Sequence, residues 1–357
     1  MNTSATSVTA GVDLGGTKIQ TVVLRDAEVA GSSRVLTPHT GNAGDVIDAI
    51  VATIRASLEQ ASAAEADLEA VGIGTPGEID EEAGAVLLAA NVPGFSERVE
   101  LGPLVSDQLG SVKVRVENDV RVGIFGEYKR GAGRPYKNLL GVWVGTGVGG
   151  GLVLDGELHD GRGAAGEFGH TVVNPGRRRC SCGRRGCVEA YAGRACMERR
   201  ARGLVERGEQ TDLFKIMKKR DREYLSSGVY ARALKRGDPM TATLIHQASW
   251  ALGVAMASAQ NLLDLEAIIV GGGLADRLGQ SFIDRIVEEM RPHLFVPDKP
   301  PDVLGTELKD LSGAVGAAVL AGAQPAPDSS APAASVASPS NSTGERTSSP
   351  ATRARNT

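Results

Sequence analysis

One pattern occurs twice in this chain, about 130 residues apart. Val8 to Leu14 and Ile19 to Leu24 read as two strands turned by Gly15-Gly16-Thr17. Leu139 to Val144 and Gly151 to Leu154 read the same way around a glycine-rich run from Gly145 to Gly151. The matching cores are Gly11-Val12-Asp13-Leu14-Gly15-Gly16-Thr17 and Gly141-Val142-Trp143-Val144-Gly145-Thr146-Gly147. A recurring strand, glycine turn and strand suggests a duplicated lobe with a ligand held between the copies. Coincidence among β-rich glycine turns is the alternative.

The residues between and after these hairpins alternate strand and helix signals. Asp45 to Ala63 carries helical spacing, Leu68 to Gly74 and Val112 to Val116 read as buried strands, and a helix follows from about Asp119 to Lys129. This order points to an α/β fold, a sheet covered by helices. Asp238-Pro239 opens a long helix whose apolar stripe runs Leu244, Ala248, Leu252, Met256, Ala259, Leu263, with Asp as cap and Pro at the first position. The strand Ala267 to Val270 then ends in Gly271-Gly272-Gly273. The charged segment between Met197 and Asp238 reads as helical and solvated. Residues 323 to 357, rich in Ala, Ser, Pro and Thr, bury too little apolar surface to offset their ordering entropy and are expected to form a disordered tail.

With 357 residues the chain is long enough for two packed lobes. Its 46 glycines are nearly twice the usual share of roughly 7%, which suits turns where main chain must approach a ligand. A net charge of −4 makes no electrostatic case for nucleic acid or an anionic membrane as partner. No apolar run reaches about 18 residues, and the N-terminus lacks a basic signal region, so a cytoplasmic location is expected.

Three groups of residues carry chemistry. Asp13-Leu14-Gly15-Gly16-Thr17-Lys18 follows a strand, and its glycines let backbone N–H groups face an anion. Asp13 suits a phosphate pocket only if a cation such as Mg²⁺ intervenes. Gly145, Thr146, Gly147, Gly149 and Gly150 offer a second such turn, and Gly271, Gly272 and Gly273 could let a nucleoside lie against backbone. Cys180, Cys182 and Cys187, with His170 upstream, form the Cys₃His set of a closed structural zinc site. Flanking arginines (Arg177, Arg178, Arg179, Arg184, Arg185) are expected to lower the thiol pKa values; Cys196 reads as a core cysteine. Finally, Asn118-Asp119 either caps a helix or offers a carboxylate to take a proton from an attacking hydroxyl.

Taken together, these residues resemble the ROK family (repressors, open reading frames and kinases), and within it the bacterial glucokinase branch. The resemblance rests on Asp13 to Lys18, Gly74-Thr75-Pro76-Gly77, Glu117-Asn118-Asp119, Gly145 to Gly151, Ala165-Gly166-Glu167-Phe168-Gly169-His170, and Cys180 to Glu189. It implies a two-lobed, actin-like (ribonuclease H-like) sugar kinase fold with ATP, Mg²⁺ and sugar in the cleft, a structural Zn²⁺, and a homodimer or dimer of dimers. It divides the chain into a lobe of residues 1–118, completed by a helix at about 309–322, and a larger lobe of residues 119–308. By position, Asp119 resembles the general base for the 6-hydroxyl of glucose. Asn91, Asn118, Glu167, His170 and Glu189 resemble sugar ligands, with His170 shared between metal and sugar. Phe95 stands where the family often has Trp. Other hexoses or N-acetylhexosamines, polyphosphate as donor, and a sugar-sensing repressor are the alternatives. Only about seven residues precede the first strand, which leaves a repressor no room for a DNA-reading domain.

Overall fold

The computed structural model describes residues 7–89 and 91–323; the expected tail lies outside them from residue 324 onward. The first half runs β1 (Val8–Leu14), β2 (Lys18–Arg25), β3 (Glu28–Leu36), α1 (Ala43–Gln60), β4 (Leu68–Thr75), the short pair β5 (Glu78–Asp80) and β6 (Ala85–Leu88), α2 (Leu101–Gln108) and β7 (Lys113–Asn118). Helix α3 (Asp119–Arg130) leads into β8 (Leu139–Val144), β9 (Val148–Leu154) and β10 (Glu157–His159). A helical stretch follows: α4 (Glu189–Ala192), α5 (Arg194–Val205), α6 (Leu213–Lys219), α7 (Ser227–Lys235) and α8 (Pro239–Leu263). The described chain closes with β11 (Ala267–Gly271), α9 (Gly273–Leu278), α10 (Gln280–Met290), β12 (Asp302–Gly305) and α11 (Ser312–Gly322).

The duplication read from the hairpins extends to whole sheets. One sheet has the order β3-β2-β1-β4-β7 and the other β10-β9-β8-β11-β12. In each, a central strand pairs antiparallel with its hairpin partner and parallel with a later strand. Strand β4 is buried at every residue but Glu69, as expected for a parallel strand covered on both faces. Strand β3 escapes sequence reasoning because it is an edge strand: Val29, Val35 and Leu36 are exposed, so it carries little alternation.

Two further expectations change. The segment between Met197 and Asp238 is helical but not merely solvated, because Ala201, Leu204, Leu213, Ile216, Met217, Val229, Tyr230 and Ala233 join the core against α8. The glycine-rich run also divides: Gly149, Gly150 and Gly151 lie inside β9, leaving Gly145-Thr146-Gly147 as the turn. A β-carbon on Gly149 would sit 2.6 Å from Val120 Cγ2, and one on Gly150 would sit 2.6 Å from Phe168 Cβ. Close packing accounts for glycine at those two positions.

Helix α11 closes the fold by lying on β1, β4 and α3 at backbone contact distance. A β-carbon on Gly316 would come 1.7 Å from Val122 O, and one on Gly11 would come 1.9 Å from Ala314 O. Glu127 fastens this crossing. It is fully buried; its Oε2 accepts from the N–H of Ala132 and of Glu307, each at 3.0 Å. Its Oε1 accepts from the N–H of Leu308 (2.9 Å) and the hydroxyl of Ser312 (2.7 Å).

Candidate active site and metal centre

His170 ends a short 3₁₀ turn, and Cys180, Cys182 and Cys187 sit on a loop that Gly183 and Gly186, both at positive φ, turn sharply. One ligand atom from each of the four residues lies within 4.8 Å of the others. Zinc–sulfur bonds of about 2.3 Å place tetrahedral thiolates about 3.8 Å apart, and Cys182 Sγ to Cys187 Sγ is 3.8 Å. His170 Nδ1 lies 3.8 Å from Cys180 Sγ, while its Nε2 faces Glu167 Oε2 at 3.9 Å. The donor set and spacing therefore fit a closed zinc site. The arginines act more narrowly than expected. Arg184 lowers the Cys182 thiol to about 6, whereas burial pushes Cys180 up to about 12 and raises Cys187.

At the junction of β7 and α3 the capping reading falls to Asn118, and Asp119 brings a carboxyl to the start of the helix. Asn118 is the N-cap, its Oδ1 accepting from Val120 N at 3.0 Å and Arg121 N at 3.3 Å. Asp119 is the first helical residue, and its carboxyl is raised to about 7 by burial and then by the charge of Asp13. Burial likewise raises Asp13, against the opposing pull of Lys18. Glu117 is 2% exposed and raised to about 7 by burial. Its Oε1 accepts from Asn118 N at 2.8 Å and lies 3.0 Å from Arg121 Nε, while its Oε2 is buried without a partner among the described residues. A cleft of about 430 Å³ opens beside this junction, with Glu78, Glu117, Asn118, Arg121, Gly150 and Glu167 among its lining residues.

The glycine turns flank the same region. Gly15 N donates to Lys18 O at 2.9 Å, and Gly15 O accepts from the Thr37 hydroxyl at 2.6 Å. A β-carbon on Gly16 would meet Asn91 O at 1.9 Å, so the exposed Asn91 sits directly on this turn. Lys18 pairs with Asp310 (Nζ to Oδ1 3.7 Å). In the second hairpin, Arg194 N donates to Gly145 O at 3.2 Å and Ala195 N to Thr146 O at 3.0 Å. Glu189 braces the turn and the metal loop together: its Oε2 accepts from Val148 N at 3.1 Å, and its Oε1 lies 3.5 Å from Cys180 Sγ. Gly272 packs against the end of β8, a β-carbon there falling 2.7 Å from Val144 N. Gly271 completes β11, and Gly273 begins α9.

Sequence reasoning left Glu117 unassigned although it sits within the quoted Glu117-Asn118-Asp119 run. Its partner Arg121 lies on α3 while Glu117 lies in β7, so helical i, i+4 spacing gave no signal for the pair. Glu127 had no signal beyond its place on a helix.

Paired sheets of this order, with a glycine hairpin in each, define the two-lobed, actin-like sugar kinase fold. The ROK family model matches residues 9–324, and the chain belongs to that family. It is 34% identical over 323 residues to a glucokinase of Streptomyces coelicolor, covering 88% of this chain and 97% of that protein. It is 30% identical over 321 residues to an N-acetylgalactosamine kinase of a Shewanella species, covering 87% and 95%. Among solved structures, a ROK family glucokinase from Streptomyces griseus in complex with glucose and AMPPNP superposes with a TM-score of 0.73 at 33% identity, covering 88% of this chain and 99% of that one.

Proposed function

We propose that this protein transfers the γ-phosphate of ATP to a hydroxyl of a hexose, with glucose and its 6-hydroxyl the favoured acceptor. The observation that carries the reading is Asp119: a carboxylate raised to about 7, at a helix start beside an acid-lined cleft, with a glycine turn from each lobe nearby. A base of that pKa is matched to neutral pH. The glucokinase and amino-sugar kinase relatives support the class, and the identity to the former supports glucose over its alternatives.

In this mechanism Asn118, Glu167 and the Nε2 face of His170 hold the sugar hydroxyls, and Asn91 closes over them from the Gly16 turn. Asp119 takes the hydroxyl proton as the sugar oxygen attacks phosphorus; the bond to the ADP oxygen breaks in line with it. Backbone N–H groups of Gly16, Thr17, Thr146 and Gly147 cradle the phosphates, those of Gly15 and Gly145 being engaged within their turns, with Gly271–Gly273 beside the nucleoside. Asp13, buried beside the first turn, would hold Mg²⁺, which would supply charge neutralisation to the phosphates when bound. His170, Cys180, Cys182 and Cys187 would hold zinc, which would supply rigidity; with His170 Nδ1 facing the cysteines, its Nε2 would be left as the donor toward the sugar. Positioning and charge stabilisation supply most of the rate.

The test is ATP consumption by purified protein with Mg²⁺ across glucose, mannose, fructose, N-acetylglucosamine, N-acetylgalactosamine and N-acetylmannosamine. Preferred turnover on glucose supports the full reading. Preference for an amino-sugar keeps the mechanism and changes the acceptor; silence on every sugar from folded, zinc-loaded protein overturns it.

A further inference from the structure

Among the described residues, Arg194 is a cation without a counter-ion. It begins α5 directly beside the Gly145-Thr146-Gly147 turn, and its Nη2 donates to the Thr146 hydroxyl at 3.0 Å. Its Nε is buried with no hydrogen-bond partner among the described residues. The acid on the same helix face, Glu198, is already engaged: Oε1 accepts from Arg202 Nε at 2.9 Å and Oε2 from Leu225 N at 2.7 Å. Burial holds the guanidinium below its ordinary pKa, the direction expected where a charge is desolvated and unpaired. Leaving a charge so placed is costly unless something else pairs with it.

The surroundings narrow what that is. The two N–H groups at the start of α5 are spent on the carbonyls of Gly145 and Thr146, so the helix start offers no anion seat of its own. The hydroxyl that Arg194 holds belongs to an exposed threonine, and a β-carbon on the adjacent Gly145 would meet nothing within 4 Å. The guanidinium thus borders an open face of a glycine turn. A fork of N–H donors there matches the oxygens of a phosphate chain.

We infer that Arg194 binds the polyphosphate chain of the nucleotide at the Gly145–Gly147 turn, supplying the side-chain cation that Lys18, paired with Asp310, does not. The inference rests on the kinase reading above, and it concerns phosphate binding rather than the acceptor sugar. Arg194→Met keeps the apolar stem that covers the turn and removes the charge; Arg194→Lys keeps the charge and removes the fork.

Calorimetric titration of the zinc-loaded protein with adenosine, ADP, ATP and inorganic tripolyphosphate separates the outcomes. In the wild type, affinity should rise with the number of phosphates. In Arg194→Met, ATP and tripolyphosphate should bind about 10- to 100-fold more weakly. Adenosine binding and the KM for sugar should stay unchanged, the melting temperature without nucleotide should not fall, and Arg194→Lys should recover part of the loss. Unchanged ATP and tripolyphosphate binding in Arg194→Met overturns the inference while wild-type turnover leaves the kinase reading standing. A loss that extends equally to adenosine, or a fall in melting temperature that Arg194→Lys shares, assigns Arg194 to folding instead. A wild type that binds neither nucleotide nor tripolyphosphate overturns both.

Discussion

Asp119 shows how one residue can be tuned by where its helix begins. Its ordinary carboxyl pKa of 3.8 is displaced to about 7 by burial and by Asp13, so the base form accumulates only above that value. Turnover should therefore rise with pH along a limb centred near 7 and fall about tenfold per pH unit below it. Asp119→Asn should cost on the order of 10²- to 10⁴-fold in kcat and abolish the limb; a variant with near-normal turnover removes Asp119 from the role. Stability should respond in the opposite sense. Between pH 3.8 and about 7 the native state keeps a proton that the unfolded chain has released, so stability declines as pH rises through that window. Thermal melts at pH 4 and pH 8 check this: the gain in melting temperature from Asp119→Asn should be larger at pH 8. The residue itself was legible, since Asn118-Asp119 after an apolar strand is a local pattern. Its pKa was not, because Asp13 reaches it only through the pairing of β1, β4 and β7.

Among the elements, the metal loop is the clearest case of spacing that dictates structure. Three thiolates and an imidazole converge because Gly183 and Gly186 take positive φ, and all but His170 lie within one short loop, so sequence sufficed. What sequence did not disclose is the load that loop bears through Glu189, which joins Cys180 to the N–H of Val148. Removing the metal should therefore disturb the second glycine turn as well as the sugar side. Cys182→Ser, at an exposed position, should bring metal content by elemental analysis from about one zinc per chain to well under half. It should also lower the melting temperature and raise the KM for sugar and for ATP together. Full zinc content in that variant would exclude Cys182 as a ligand. The helices α5 to α7 were misjudged for the opposite reason. Leu213, Ile216 and Met217 stand at helical spacing, yet the abundance of Arg, Lys and Glu around them masked a face that packs into the core.

Over the whole molecule, the crossing of α3 and α11 sets how the two sheets meet. Helix α3 carries Asp119 at its start, and the start of α11 lies over the partner acid: a β-carbon on Gly313 would be 3.0 Å from Asp13 Cγ. Glu127 locks the two helices through its four accepted hydrogen bonds. It joins residues about 180 positions apart, which is why no local pattern could reveal it. A glutamine at position 127 keeps the shape but turns one oxygen into a donor. Replacing Oε2 leaves Ala132 N and Glu307 N without their acceptor; replacing Oε1 leaves Leu308 N without one, the Ser312 hydroxyl still having Lys309 O at 2.8 Å. Each buried unsatisfied donor costs about 1–3 kcal/mol, so urea unfolding of Glu127→Gln should show a loss of at least about 1 kcal/mol. If the crossing also fixes the separation of Asp13 and Asp119, loosening it weakens their repulsion, and the apparent pKa of the turnover limb should fall below the wild-type value. A destabilised Glu127→Gln with an unmoved limb would confine Glu127 to folding, and would mean that β1, β4 and β7 alone hold the two acids at their distance.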